Sequence, residues 1–172
     1  MNVARRAGFT LIELIVTIAI VAVLATLAAP FMANASLSGQ LTANANNLLA
    51  AMTMARSEAI KRNTNVVVCA SRDGANCATS GDWDQGWIVT VSGSTTVLRT
   101  QEAAPQGYVL RGTDGNGTIV RSVSFPPVGL LAANYSFKVC RQTPTVGIQD
   151  RALSLSTTGR LNITRTATGT CP

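Results

Sequence analysis

The hydrophobic pattern of the chain begins with a continuous apolar run from Phe9 to Ala29. As a helix, its 21 residues would span roughly 30 Å, which is the thickness of the hydrocarbon core of a bilayer. One charged residue, Glu13, interrupts the run. A carboxylate in such a segment costs on the order of 2.5–3.5 kcal/mol on insertion scales, so its presence needs a reason. The pattern predicts a membrane-spanning helix over 9–29 with a functional acid near its start.

A helical period continues after Pro30, but the pattern becomes amphipathic. Apolar residues recur every three or four positions, and polar residues fall on the other side. The sequence Asn63-Thr64-Asn65 is typical of a helix end. We therefore expect a second helix half over 30–63 that packs one face on the rest of the protein. Its apolar positions are Leu41, Ala45, Leu48, Met52, Ala55 and Ala59, with Leu37, Leu49 and Ile60 at the margins.

The period changes to two after the helix, which predicts a β-rich head over 64–172. Short apolar runs alternate with turn residues such as Ser, Gly and Pro. The expected fold class is α+β, with a long N-terminal helix packed on an antiparallel β-sheet head. The predicted strands are Val66–Ala70, Gly86–Val91, Thr95–Thr100, Tyr108–Arg111, Thr118–Phe125, Tyr135–Arg141, Ala152–Ser156 and Leu161–Thr164.

Four cysteines lie beyond the apolar segment, and an even number there fits an oxidising compartment with two disulfides. Four cysteines allow three pairings. We favour a short local bond between Cys69 and Cys77, and a bond between Cys140 and Cys171 that ties down the C-terminal tail. Free buried thiols are an open alternative. A metal site is less favoured, because the chain has no histidine and lacks the close cysteine pairs that zinc sites use.

Positive charge is concentrated near the C-terminus. Arg5 and Arg6 lie before the apolar run, and without them the net charge falls from +6 to +4. Acidic and basic residues balance from Phe9 to Phe137. The whole excess therefore lies in the last segment, and such an asymmetry can mark an anionic partner. The charged residues of that segment are Lys138, Arg141, Arg151, Arg160 and Arg165, against Asp150.

Catalytic chemistry has little support in the sequence. The absence of histidine excludes Ser–His–Asp and Cys–His arrangements, and no phosphate-binding glycine loop occurs. Arg56 and Glu58 are interpreted as solvated or locally paired surface residues rather than a binding site. Trp83 and Trp87 are interpreted as sheet packing, with ligand stacking as the less favoured alternative. We predict a protein that is not an enzyme, uses no cofactor and has no small-molecule substrate.

The N-terminus resembles the class III leader of type IV pilins and of the related pseudopilins. The residues that carry the resemblance are Gly8-Phe9-Thr10-Leu11-Ile12-Glu13-Leu14, behind a short basic leader. The resemblance implies that a prepilin peptidase removes residues 1–8 by cutting between Gly8 and Phe9, and methylates the new amine of Phe9. That amine would pair with Glu13 of a neighbouring subunit during assembly. Pro30 falls where pilins commonly kink their stem.

Two simpler interpretations of this segment are open. Glu13 could lie at the membrane surface and extend its carboxylate to water without any partner. The segment could also be a secretory signal peptide that is cleaved after Ala33-Asn34-Ala35. The apolar run is longer than the hydrophobic part of an ordinary signal peptide and contains an acid, which favours the pilin interpretation.

The rest of the chain resembles the GspH/FimT family of minor pilins and pseudopilins. The likeness covers nearly the whole chain and implies a pilin-like lollipop, in which the stem helix carries the head. It also implies a low-abundance subunit that caps or primes a filament. The motifs that carry it are Ala55-Arg56-Ser57-Glu58-Ala59-Ile60, Asp73-Gly74, Asp82-Trp83, Gly86-Trp87, Phe125-Pro126 with Gly129, and Thr158-Gly159-Arg160.

Some members of this family resemble DNA-binding pilins of natural transformation, in which a Gly-Arg-x-Arg tail carries the activity. Here Gly159-Arg160-Leu161-Asn162 lacks the second arginine, and Arg165 is an approximate substitute. Arginines on a disulfide-held tail could bind phosphates weakly and without sequence preference. The candidate DNA-binding residues are Arg160, Arg165, Lys138 and Arg141.

The sequence therefore predicts a type IV minor pilin of a tip or priming complex, with DNA uptake as a further role. Before assembly it would cross the bacterial inner membrane once, with its head in the periplasm, and afterwards it would lie in the pilus fibre. The expected partners are other minor and major pilins, the prepilin peptidase, the inner-membrane assembly platform and DNA. The alternatives are a minor pseudopilin of type II secretion and a dedicated DNA-binding pilin.

Overall fold

The computed structural model describes residues 8–142, 150–166 and 171, without the side chains of residues 29–31, 33 and 34. The chain divides into two compact units, Met1–Leu37 and Ser38–Pro172. The predicted start of the leader, residues 1–7, lies outside the described residues, as do 143–149, 167–170 and 172.

Helix α1 runs from Leu11 to Arg62, close to the predicted span from Phe9 to Asn63. Its N-terminal part belongs to the first unit, where the apolar side chains are exposed on all sides. Leu11–Ala28 is long and apolar enough to cross a membrane, with a mean hydropathy of 2.7. None of Leu11–Ala28 is buried among the described residues, and such an exposed apolar surface needs an apolar environment or partner helices.

The helix ends in a Schellman motif centred on Asn63. This residue has a φ of 51°, in the left-handed region that asparagine tolerates better than most residues. The N–H of Thr64 donates to the carbonyl of Ala59 at 3.2 Å, and the N–H of Asn63 donates to that of Ile60 at 3.3 Å. These two bonds satisfy carbonyls that the helix end leaves without partners. The predicted end of the helix is confirmed.

The second unit contains two four-stranded antiparallel sheets. The first has the order β3-β2-β1-β5, and the second has the order β4-β6-β7-β8. The α+β class and the antiparallel head are confirmed, but the head has two sheets rather than one. A short 3-10 turn, Trp83–Gln85, precedes β2. The strands are β1 Val66–Ala70, β2 Trp87–Val91, β3 Val97–Gln101, β4 Tyr108–Asp114, β5 Ser122–Phe125, β6 Tyr135–Arg141, β7 Asp150–Leu155 and β8 Leu161–Thr166.

One predicted strand, Thr118–Phe125, is wrong as a single element. Its first part folds back on the end of β4, where Ile119 forms a bridge with Thr113. Its last part is β5, which pairs with β1 in the other sheet. The segment changes sheets near Arg121, whose carbonyl accepts the N–H of Ala70 at 2.8 Å. Sequence periodicity reports which face of a strand is apolar but not which strand it pairs with, so it could not reveal the change of partner.

The core of the second unit lies between the later part of α1 and the sheets. The six predicted positions from Leu41 to Ala59 are all buried, whereas the marginal residue Ile60 is 53% exposed. Trp83 and Trp87 are buried, which confirms their role in packing. The indole N–H of Trp83 donates to the carbonyl of Val120 at 2.7 Å, so its polar atom is satisfied inside the core.

Candidate functional site

The predicted cleavage point lies in a non-helical, exposed segment. Gly8, Phe9 and Thr10 precede α1, and the side chain of Phe9 is 80% exposed. The hydroxyl of Thr10 accepts the backbone N–H of Glu13 at 3.3 Å, which is the geometry of a helix N-cap. The bond between Gly8 and Phe9 therefore lies outside the helix, in an exposed segment.

Glu13 lies in the first turn of α1 and is exposed. An acid is electrostatically favourable at this end of a helix, because the unpaired N–H groups give it a partial positive charge. Within the described ranges, no side chain bonds or pairs with the Glu13 carboxylate. Helix α1 continues through Pro30, but the side chain of Pro30 lies outside the described residues.

Both predicted disulfides are present in the head. Cys69 is bonded to Cys77 with a Cα–Cα distance of 5.5 Å, and Cys140 is bonded to Cys171 with a distance of 5.7 Å. The first bond closes a short loop after β1. The second ties the end of the chain to β6, as expected. No described cysteine is free.

The loop between Cys69 and Cys77 is organised around the carboxylate of Asp73. This carboxylate accepts the side-chain amide of Asn76 and the backbone N–H groups of Asn76 and Ala75, at 2.8 to 2.9 Å. These hydrogen bonds, led by that of the Asn76 side chain, hold the pKa of Asp73 well below its usual value. The hydrogen bonds of the Asp73 carboxylate are thus made within the loop, which agrees with a structural role.

Two of the four candidate DNA-binding residues have partners within the head. The ammonium of Lys138 lies 3.4 Å from the carboxylate of Asp150. The guanidinium of Arg141 lies over the ring of Tyr108, 4.6 Å from its centroid. Both cations are therefore at least partly engaged before any ligand arrives.

The other two candidates lie on opposite faces of the second sheet. Arg160 is exposed just before β8, and Asn162 and Thr164 are exposed with it, as alternation predicted. Arg165 has the opposite parity in β8 and lies directly across from Arg151 in β7. The four cations therefore do not form one continuous patch, and DNA binding by them stays a prediction.

Sequence reasoning missed the role of Arg151, which is buried in the head. Its guanidinium donates to the hydroxyl of Thr42 at 3.0 and 3.2 Å and to that of Ser38 at 3.1 Å. Burial, and secondarily the positive charge of Arg165, lowers its pKa. Arg151 alternates with Leu153 and Leu155, but the predicted strand began at Ala152, two residues after the start of β7 at Asp150.

The interpretation of Arg56 as a surface residue is also wrong. Arg56 is half-buried, and its guanidinium donates to the carbonyl of Gly159 at 3.2 Å. A Cβ atom added to Gly159 or Gly129 would lie 2.7 or 3.3 Å from this side chain. Glu58, by contrast, is paired locally with Lys61 and Arg62, as expected, and its pKa is lowered mainly by the hydrogen bond from Arg62.

Two protein-family models match the chain, one over most of the head and one over the N-terminal segment. The model of the family described as type II transport protein GspH matches residues 44–159, which is more than half of the chain. The chain belongs to the GspH family. A second model, the prokaryotic N-terminal methylation motif, matches residues 3–29 and covers the predicted cleavage point and Glu13.

Solved structures with the same fold come from minor pilins and pseudopilins. The type IV minor pilin FimU of Pseudomonas aeruginosa is 25% identical, with a TM-score of 0.60, over 78% of this chain and 96% of FimU. The minor pseudopilin EpsH of the Vibrio cholerae type 2 secretion system is 11% identical, with a TM-score of 0.53, over 77% of this chain and 99% of EpsH. No significant match was found among curated protein sequences.

These findings confirm the predicted family and its fold. This member of the GspH family has a prepilin-like N-terminus and an apolar helix, which together indicate a membrane-anchored pilin. The family consists of structural pilins and pseudopilins, and it implies interaction with other pilins. The family motifs quoted from the sequence also acquire a structural meaning, because Arg56, Gly129 and Gly159 meet in one contact.

Proposed function

We propose that this GspH-family protein is a minor pilin of a type IV pilus, assembled at the tip or in a priming complex. The observation that carries the proposal is the likeness to the type IV minor pilin FimU, which is higher in identity and TM-score than the likeness to EpsH. Before assembly the helix crosses the inner membrane, with the head in the periplasm, where both disulfides are stable.

The proposed assembly step uses Phe9 and Glu13. The prepilin peptidase cuts after Gly8 and methylates the amine of Phe9. The charged amine of an incoming subunit is attracted to a Glu13 carboxylate in an apolar bundle of helices, where charges interact more strongly than in water. The pairing sets the register of the stems. It is supported by the exposure of Phe9 and by the absence of a partner for Glu13 within the described chain.

The test is incorporation of the Glu13→Ala variant into sheared pili, compared with Glu102→Ala, which removes an exposed acid from the head. We expect Glu13→Ala to abolish or strongly reduce incorporation at normal cellular levels, and Glu102→Ala to behave as the wild type. Intact-mass analysis should show a mature chain that begins at methylated Phe9. Normal incorporation of Glu13→Ala, or a mature chain that begins at Ser36, would contradict the proposal.

The alternative assignment is a minor pseudopilin of type II secretion, which the family description supports. Deletion of the gene in its own host separates the two. We expect loss of surface pili and twitching, with normal release of secreted enzymes. The reverse pattern would assign the protein to the secretion system, while the anchoring and processing of the chain would stay as proposed.

DNA uptake is a second function that the positive C-terminal segment supports, because Arg160 is exposed and the segment carries the whole positive excess. A gel shift at low salt with Arg160→Gln and Arg165→Gln tests it. Binding that falls with salt and is weakened by either substitution would support the role. The absence of wild-type binding, or binding by both variants that is as strong as that of the wild type, would contradict the role.

A further inference from the structure

A polar groove lies on the outer face of the second sheet. Its volume is about 540 Å³, within the range of roughly 300–1,000 Å³ that is typical of small-ligand sites. It lies where β6 and β8 begin and β7 ends. The residues that line it include Tyr135, Ser136, Ser154, Arg160 and Asn162.

The floor of the groove is a row of three neutral polar side chains. Ser136, Ser154 and Asn162 are directly opposite one another in β6, β7 and β8. Neighbours in such a row are about 5 Å apart. All three are exposed, and their side chains make no hydrogen bond within the described part of the protein. The row therefore offers hydroxyl and amide groups along about 10 Å, a length that more than one linked sugar ring would occupy.

One cation stands at the end of this row. Arg160 is exposed, and its guanidinium has no partner among the described residues, although its backbone N–H is bound by Ser156. The next cations on the same face are already neutralised, since Lys138 pairs with Asp150 and Arg111 pairs with Asp82 at 2.8 Å. The groove thus combines one available positive charge with several neutral hydrogen-bonding groups.

We propose that this groove binds a saccharide that carries a carboxylate. Arg160 would bind the carboxylate as a charge-assisted pair, and the Ser136–Ser154–Asn162 row would bind ring hydroxyls. A nucleic acid fits less well, because its affinity depends on several phosphate contacts and the groove has one cation.

The test uses the full-length chain in detergent micelles and saturation-transfer NMR. The probes are trigalacturonate, its methyl ester and short duplex DNA. We expect millimolar binding of trigalacturonate, and at least tenfold weaker binding of the ester, which has no carboxylates. Binding of the duplex through Arg160 without binding of trigalacturonate, or equal binding of the ester, would overturn the proposal.

Two variants and a matched control locate the site. Arg160→Gln should weaken trigalacturonate binding at least about tenfold, and Ser154→Ala should weaken it about threefold to tenfold, since each removes one hydrogen-bonding group. Arg165→Gln removes the same charge from the other face of β8 and should leave the affinity unchanged. All three positions are exposed, so thermal melting should be unaltered. Equal losses in Arg160→Gln and Arg165→Gln would show general charge attraction and overturn the proposal.

Discussion

The guanidinium of Arg56 donates a hydrogen bond to the carbonyl of Gly159, 3.2 Å away and 103 residues later in the chain. Gly159 is buried and has a φ of 75°, and a Cβ atom there would lie 2.7 Å from Cζ of Arg56. The contact joins α1 to the turn that precedes β8. That turn ends at Arg160, so Arg56 also supports the position from which Arg160 reaches the groove.

Replacement of Gly159 by alanine should destabilise the head for two reasons. The positive φ costs about 1–2 kcal/mol for a residue with a side chain, and the contact with Arg56 adds to it. Gly93→Ala is the matched control, because Gly93 has a φ of 74° but open space around a Cβ atom. We expect a larger loss of melting temperature for Gly159→Ala than for Gly93→Ala. Equal losses of melting temperature would show that the contact with Arg56 does not contribute to the destabilisation.

Removal of the Thr42 hydroxyl should leave the buried guanidinium of Arg151 short of an acceptor. Thr42→Val keeps the shape of the side chain but deletes the atom that accepts two hydrogen bonds from Arg151. An unsatisfied buried group costs about 1–3 kcal/mol. Thr53→Val is the control in the same helix, because the Thr53 hydroxyl is exposed and bonds only to Leu49. Thermal unfolding followed by circular dichroism compares them, and similar melting temperatures would contradict the prediction.

The two disulfides should contribute unequally to stability. Chain-entropy estimates are about 2.5 kcal/mol for a loop of the size closed by Cys69–Cys77, and about 3.7 kcal/mol for that closed by Cys140–Cys171. The sequence separations are 8 and 31 residues. We expect the double serine variant of the longer pair to unfold at the lower denaturant concentration. The opposite order would show that contacts of the short loop outweigh loop entropy.

The hydrogen bonds to Asp73 predict an acid-sensitive contribution to stability. The pKa of this carboxyl is lower in the folded chain than its unfolded value of about 3.9. Its contribution is therefore present above that pH and is lost as the pH falls through the folded pKa. Asp73→Asn should lower the melting temperature at neutral pH and flatten its decline below pH ~4. An unchanged decline would contradict the prediction.

Asp84 provides a control of opposite sign. Burial, helped by the negative charge of Asp82, raises its pKa in the folded chain. Its ionised form therefore destabilises the fold, and protonation at acid pH relieves this cost. Asp84→Asn should raise the melting temperature slightly at neutral pH and make the acid decline steeper, opposite to Asp73→Asn. Parallel curves for the two variants would show that neither pKa shift governs the response.

The amino-acid sequence was sufficient for features that depend on local pattern. Examples are the apolar run after Gly8, the helix end at Asn63 and the alternation of β6. Each consists of residues that are close together in the sequence, so hydrophobic period and turn residues identify it. The disulfide pairing was also predicted. Cys69 and Cys77 are close in sequence, and once they are paired, only Cys140 and Cys171 are left to form the second bond.

Tertiary structure alone decided the features that depend on partners distant in the chain. The division of the Thr118–Phe125 segment between two sheets, the burial of Arg151 and the contact of Arg56 with Gly159 all arise from residues that approach one another only on folding. The separation of Arg160 from Arg165 has the same origin. Arg160 lies just before β8 and Arg165 lies within it, an odd number of residues away, and only the pairing with β7 shows that Arg165 is directly opposite the buried Arg151.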